Sequence, residues 1–212
     1  MSWIEPGTYT WTCPAEVYRV RVALCAGGGG QLCCDSLSSR NGLQLPKGEK
    51  STFGELITAF AGNSGSVTKY TYQQGDHTRY GYHITGMTDG SPIFTDKPIE
   101  TNLGGAKYYT QAYGWECSFD QKQVLYGFGS GGEKYELRNV FGNYFHLGAS
   151  GGYNTGYVDV VPYKTYQIVV GNNGNTLEYN RSANPNGSIG GDSYVLRPSK
   201  SGFVLIAFGG DI

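Results

Sequence analysis

The sequence predicts an all-β protein, a β-sandwich carrying glycine-rich loops, on three observations. Apolar strands stand at both ends, the first over residues 17–25 running into Gly27-Gly28-Gly29-Gly30 and the last over 202–208 stopped by Gly209 and Gly210. Glycine punctuation recurs between them, in Gly62-Asn-Ser-Gly65, Gly127-Phe-Gly-Ser-Gly-Gly132, Gly148-Ala-Ser-Gly-Gly152, Gly171-Asn-Asn-Gly174 and Gly187-Ser-Ile-Gly-Gly191. No apolar stripe of 3.6-residue period persists for three turns, whereas period-two alternation is frequent.

Taken in order, Thr8-Tyr-Thr-Trp-Thr12 alternates, Pro14-Ala-Glu16 turns the chain, and Val20, Val22 and Leu24 alternate with Arg19, Arg21 and Ala23. The first thirty residues therefore read as a hairpin whose second strand is wet on one face at first and buried on both later. Residues 51–61 and 66–72 supply two more strands around the Gly62-Asn-Ser-Gly65 turn. Residues 156–161, then Pro162-Tyr-Lys164 turning into 165–170, then 202–208 complete the framework. Between about 70 and 147 the signals change. This stretch holds all three histidines, ten of the eighteen tyrosines, Trp115 and eight of the seventeen acidic residues. Its strands are short, as at 107–113 and 123–126, and turns such as Asp89-Gly-Ser-Pro92 separate them. It reads as an aromatic-rich insertion within one domain spanning 1–212, because no linker or charge run isolates it.

Composition narrows the function. A chain of 212 residues buries roughly 70% of its unfolded surface, enough for one core. Its 34 glycines lack the three-residue period and the proline content of collagen, and its 14% aromatic content is foreign to disordered Gly/Ser chains. With a net charge of -1 and no two basic residues adjacent, the phosphate-neutralising footprint of a nucleic-acid binder is missing. No apolar run reaches the length of a membrane span, and the N-terminus carries no export-signal pattern. Cys13, Cys25, Cys33, Cys34 and Cys117 lack the spacing of a zinc site or a disulfide framework and read as reduced, partly buried thiols.

Motifs with a chemical reading are weak. Asp76-His77 and His83 read as solvated loop, since a metal needs three or four converging ligands; neither metal nor cofactor is expected. Gly127-Phe-Gly-Ser-Gly-Gly132 is followed by neither Lys-Ser/Thr nor a helix, so it is no phosphate loop. Ser150 in Gly148-Ala-Ser-Gly-Gly152 has the order of a nucleophile elbow without its helix. Glu116 with Asp120, or Glu133 with Glu136, would have to flank a glycosidic bond to serve a depolymerase. They read as solvated carboxylates, and vicinal Cys33-Cys34 as an unreactive turn. No catalytic residue is assigned and no enzyme is expected.

The segment Thr8-Tyr-Thr-Trp-Thr-Cys-Pro-Ala-Glu-Val-Tyr-Arg-Val-Arg-Val-Ala-Leu-Cys-Ala-Gly-Gly-Gly-Gly30 resembles the opening of the glycine-rich domain of bacteriophage and prophage tail fibres. Three further segments fit in the family's order: Ser51-Thr-Phe-Gly-Glu-Leu-Ile-Thr-Ala59, then Gly148-Ala-Ser-Gly-Gly152 with residues 158–171, then Gly202-Phe-Val-Leu-Ile-Ala-Phe-Gly-Gly-Asp-Ile212. The aromatic middle has no counterpart. The resemblance implies a β-sandwich of jelly-roll type whose glycine loops pack as extended polyglycine segments. It also implies a virion-tail location, other tail proteins as partners, and a homotrimer.

Tyrosine combines a large apolar face, a hydrogen-bonding tip and few torsions to freeze, which suits recognition from loops held on a rigid scaffold. Tyr108, Tyr109, Tyr113, Trp115, Tyr126, Tyr135, Tyr144, Phe145 and His146 form the candidate receptor-binding patch; the competing reading packs them into the space that glycine leaves empty. The expected function is a non-enzymatic tail tip protein that binds a host-surface glycan or protein. The alternatives are a structural tail cap, a glycan-cleaving spike and a bacterial surface adhesin.

Overall fold

The computed structural model describes residues 1–34, 37–92, 99–103, 106–110, 113–115, 117, 119, 123–125, 127–131, 133–134, 144–146, 148–179, 196–197 and 199–209. Eight strands make the framework: β1 (Ser2–Trp3), β2 (Gly7–Thr12), β3 (Arg19–Cys25), β4 (Ser51–Phe53), β5 (Ile57–Ala59), β6 (Tyr153–Asp159), β7 (Thr165–Val170) and β8 (Phe203–Ala207). One sheet runs β1-β8-β3-β6 and the other β2-β7-β4-β5, with every neighbour antiparallel. The fold is all-β, a sandwich of two four-stranded sheets.

The alternation read in the sequence fills its interior. Val20, Val22 and Leu24 of β3 and Val204 and Ile206 of β8 face Trp11 of β2, Phe53 of β4 and Tyr166, Ile168 and Val170 of β7 in one buried cluster. Burying each such side chain contributes roughly 1.5–3 kcal/mol. Trp11 centres an aromatic group, 5.6 Å from Phe53 and 6.0 Å from Tyr166 between ring centroids. The opposite face of β3 is covered as well, because Cys117, Phe119 and Phe128 pack over Ala23, Cys25, Tyr153, Phe203 and Leu205. Arg21 pins that cover, donating to the Phe119 carbonyl at 3.1 Å.

Two expectations are corrected. Residues 8–25 are not a hairpin: β2 and β3 lie in opposite sheets. Each carries an apolar face that the other covers, and the six residues 13–18 span the roughly 10 Å between sheets as an arch. Residues 160–164 form a second arch hydrogen-bonded to the first, Cys13 donating to Lys164 O and Tyr163 donating to Cys13 O, both at 2.9 Å. Nor does Gly62-Asn-Ser-Gly65 join two paired strands. Ser51–Phe53 pairs with Ile57–Ala59 around Gly54, whose φ is +55°, while Ser66–Gln74 pairs with His77–Thr85.

At the end opposite the arches, the framework strands lead into a layer of extended glycine segments. Residues 26–31 run through its middle. Their N–H groups point in three directions with a period of three: Ala26 and Gly29 donate to Gly152 and Ala149, Gly27 and Gly30 to Glu49 and Pro46, and Gly28 to Lys200. The carbonyls of Gly28 and Gln31 accept from Gly174 and Leu177 with the same period. A three-residue turn is the signature of the polyproline-II conformation, which forms no internal hydrogen bonds and so needs neighbours for them. Glycine is required here for closeness: a β-carbon on Gly27 would overlap the carbonyl oxygen of Asn172, and one on Gly30 that of Asn175.

Candidate functional site

Beyond the glycine layer lies a small second core, Leu32, Cys34, Leu45 and Val67, with Leu43, Tyr82, Ile84 and Leu177 packed around it. The strand Leu32–Cys34 roofs it, paired with Tyr144–His146 antiparallel and with Leu177–Tyr179 parallel. From this core a two-stranded ribbon projects. Ser66–Gln74 pairs with His77–Thr85 along its whole length and turns at Gly75, whose φ is +60°. Nine residues per strand make it roughly 30 Å long.

The base of the ribbon is anchored. Gly42 donates to Val67 O at 2.8 Å, Val67 to Leu43 O at 2.9 Å, and Lys69 N–H to Asn41 Oδ1 at 3.1 Å. From Lys69 to Tyr80 every residue is exposed, and no third strand pairs with the ribbon among the described residues. An unsupported two-stranded hairpin is marginal in water, so contacts along the ribbon itself matter. Tyr70 sits 4.9 Å from His83 and 5.9 Å from Tyr72 between ring centroids. Its ring occupies the place that a side chain on Gly81 would take. On the other face Lys69 Nζ stands 3.7 Å from the centre of the Tyr80 ring, a cation–π contact, and Gln73 donates to Thr78 at 3.0 Å. Tyr70, Tyr72 and Tyr80 nonetheless keep 43%, 44% and 58% of their surface exposed.

Of the residues singled out from sequence, Tyr108 and Tyr109 lie on Ala106–Thr110, which pairs with Ile99–Leu103, and Tyr113 and Trp115 lie on Tyr113–Trp115, which pairs with Gln123–Leu125. Tyr144 and Phe145 lie on the strand that flanks Leu32–Cys34. The side chains of these six, and Tyr126 and Tyr135 altogether, lie outside what is described. His146 turns inward, its Nε2–H donating to the Ser64 carbonyl at 3.1 Å. Burial depresses its pKa to about 4, against a smaller upward pull from that hydrogen bond.

Sequence reasoning passed over Tyr70, Tyr72 and Tyr80, because residues 66–72 read as a framework strand. The available signal was Tyr-x-Tyr at 70 and 72 mirrored at 80 and 82 about the Gly75-Asp76 turn. The loop expected around His77 and His83 is corrected to the second strand of the ribbon.

Ser150, buried, donates through its N–H and its Oγ to Asp89 Oδ1, both at 3.0 Å. Burial raises the Asp89 carboxyl above its usual range, and the two Ser150 bonds offset part of that rise. Cys13, Cys25, Cys34 and Cys117 are free thiols. Burial, with a smaller contribution from Cys117, holds Cys25 well above the ordinary thiol range. Among the described residues no three His, Cys, Asp or Glu side chains converge as metal ligands, and no helix is long and apolar enough to cross a membrane. Comparison with protein-family models, with curated proteins and with solved structures finds no match to this chain.

Proposed function

We propose that this chain is a phage or prophage tail tip protein that binds a host-surface receptor, without catalysis, through the ribbon that projects from its glycine end. The observation that carries the reading is the outer ribbon: a rigid base holds a projecting element whose tyrosines are left half exposed. Binding residues concentrate on segments that a rigid scaffold positions.

Two further features support the tail reading. In a jelly roll, one long hairpin with partners 1·8, 2·7, 3·6 and 4·5 wraps into two sheets, its pairs falling alternately in one and the other. Here β1 pairs with β8 and β3 with β6 in one sheet, and β2 pairs with β7 and β4 with β5 in the other. The end away from the ribbon suits attachment to other tail proteins: Tyr18, Val161 and Tyr163, on the two bonded arches, are 66%, 58% and 74% exposed.

The test is binding of the purified chain to whole cells of candidate bacterial hosts. The Lys69 N–H points outward to Asn41, so the pair that exchanges bonds across the ribbon is Tyr70 and Gly81; an Asn-Gly turn joining positions 70 and 81, with Tyr70→Thr, removes the outer half and leaves the base intact. Saturable binding by the native chain, lost in the shortened one, is expected. Equal binding by both would refute the assignment to the ribbon, and binding to no host would leave a structural tail role.

A further inference from the structure

We propose that the ribbon face bearing Tyr70 and Tyr72 recognises an acidic saccharide, a sugar ring lying against tyrosine and its anionic group meeting Arg79. This rests on the receptor-binding reading above and narrows it to one ligand class.

The argument starts from strand alternation. Side chains at 68, 70, 72 and 74 share a face with those directly opposite them, and Tyr72 stands across from Arg79 while Tyr70 stands across from Gly81. With no side chain at Gly81, the Tyr70 ring lies across the backbone of the second strand instead of standing away from it. Laid down this way, with His83 and Tyr72 beside it, Tyr70 still keeps 43% of its surface exposed. The face of a tyrosine ring is apolar and flat, and its hydroxyl edge can hydrogen-bond. A pyranose has the same two properties, C–H groups on its faces and hydroxyls around its rim.

Charge then selects among saccharides. The whole chain carries a net charge of -1, yet the face from Ser66 to Gln74 and from His77 to Thr85 carries Arg79 and no carboxylate. A planar guanidinium takes carboxylate or phosphate in two parallel hydrogen bonds. The same guanidinium beside an aromatic face leaves a neutral sugar without a partner for its charge.

Area argues for a small ligand. Beyond Lys69 and Tyr82 the face is five residues long and two strands wide, on the order of 200 Å² from strand rise and spacing. A stable protein–protein interface needs roughly 800 Å² from each partner.

The experiment uses the full chain and the polysaccharide extracted from the cells that it binds, before and after carbodiimide–borohydride reduction of the carboxyl groups and hydrofluoric-acid removal of phosphates. Binding to the untreated polysaccharide, weaker by about tenfold or more after the anionic groups are removed, is the expected result. Tyr70→Ala should weaken binding to both preparations, while Arg79→Gln should abolish the preference between them. Both sites are exposed, and an unaltered circular dichroism spectrum shows that the variants fold. Comparing the two treatments singly separates a carboxylate from a phosphate as the anionic group. Equal binding to treated and untreated polysaccharide would overturn the proposal. So would cell binding that persists when extracted polysaccharide is not bound and disappears on protease treatment of the cells; that outcome keeps receptor binding and replaces the sugar with a protein. Binding to no cell removes both.

Discussion

A β-carbon at Gly27 would overlap a backbone oxygen that is itself held in the glycine layer, so neither side can move away without breaking the bonds of Glu49 and Asn172. Gly27→Ala is expected to cost about 3 kcal/mol, the upper range for overpacking. Gly42 gives the contrast. Its φ of +82° strains any side chain, but nothing lies within 4 Å of a β-carbon there, so Gly42→Ala should cost about 1 kcal/mol. Urea denaturation of the two variants checks the ordering. Acid acts through His146. Its folded pKa, about 4, lies below the ordinary 6.5, so the unfolded chain takes up a proton first as the pH falls. The stability contributed by neutral His146 is complete above pH 6.5 and is lost progressively down to about 4, amounting to on the order of 3 kcal/mol. His146→Gln keeps a donor for Ser64 O and should lack this slope when unfolding midpoints are compared between pH 7 and 4. Asp89 works in the opposite sense: its pKa is raised, so its contribution is full below the unfolded carboxylate range and declines as the pH rises through the folded value. An inward place for His146 is one of the two readings that the aromatic cluster allows in the sequence. What the sequence does not show is the partner that fixes its orientation, a carbonyl at Ser64 far away in the chain.

Among the elements, β3 and β8 were readable because their interior positions repeat every second residue and end in glycine. The arches were not. A hairpin and an arch show the same alternation on either side of the same turn residues, and what separates them is the strand that pairs next: Thr12 opposite Thr165 and Arg19 opposite Asp159. The ribbon was misread for a related reason. Ser66–Gln74 begins with Val67 in the second core and ends in solvent, so half of it carries the pattern of a framework strand. Among the described residues its outer half is held by its own cross-strand contacts alone, and such segments open locally at small free-energy cost. Backbone amides from 70 to 80 should exchange hydrogen orders of magnitude faster than those of β3 and β8. Protection equal to that of the framework would show that the ribbon is packed against something. The Asn-Gly variant that removes this half should retain the native unfolding midpoint within about 0.5 kcal/mol, as surface changes do.

At the scale of the molecule, the four ordered motifs of the sequence map onto the sandwich and its glycine end, and the all-β class follows from them. The division of eight strands between two sheets did not, because pairing β1 with β8 or β2 with β7 joins parts of the chain that no local pattern connects. The glycine layer has a thermodynamic consequence. Its interior is packed amide against amide, so it buries polar surface where an ordinary core buries hydrocarbon. Exposing apolar surface raises the heat capacity of unfolding and exposing polar surface lowers it. An ordinary domain of 212 residues gains about 2.5–3 kcal/mol/K on unfolding. Scanning calorimetry should give a smaller increment here, and a value at or above that range would count against a polar interior. A smaller increment flattens the curve of stability against temperature, and a protein with a flat curve stays folded in the cold and in the heat on the same modest reserve.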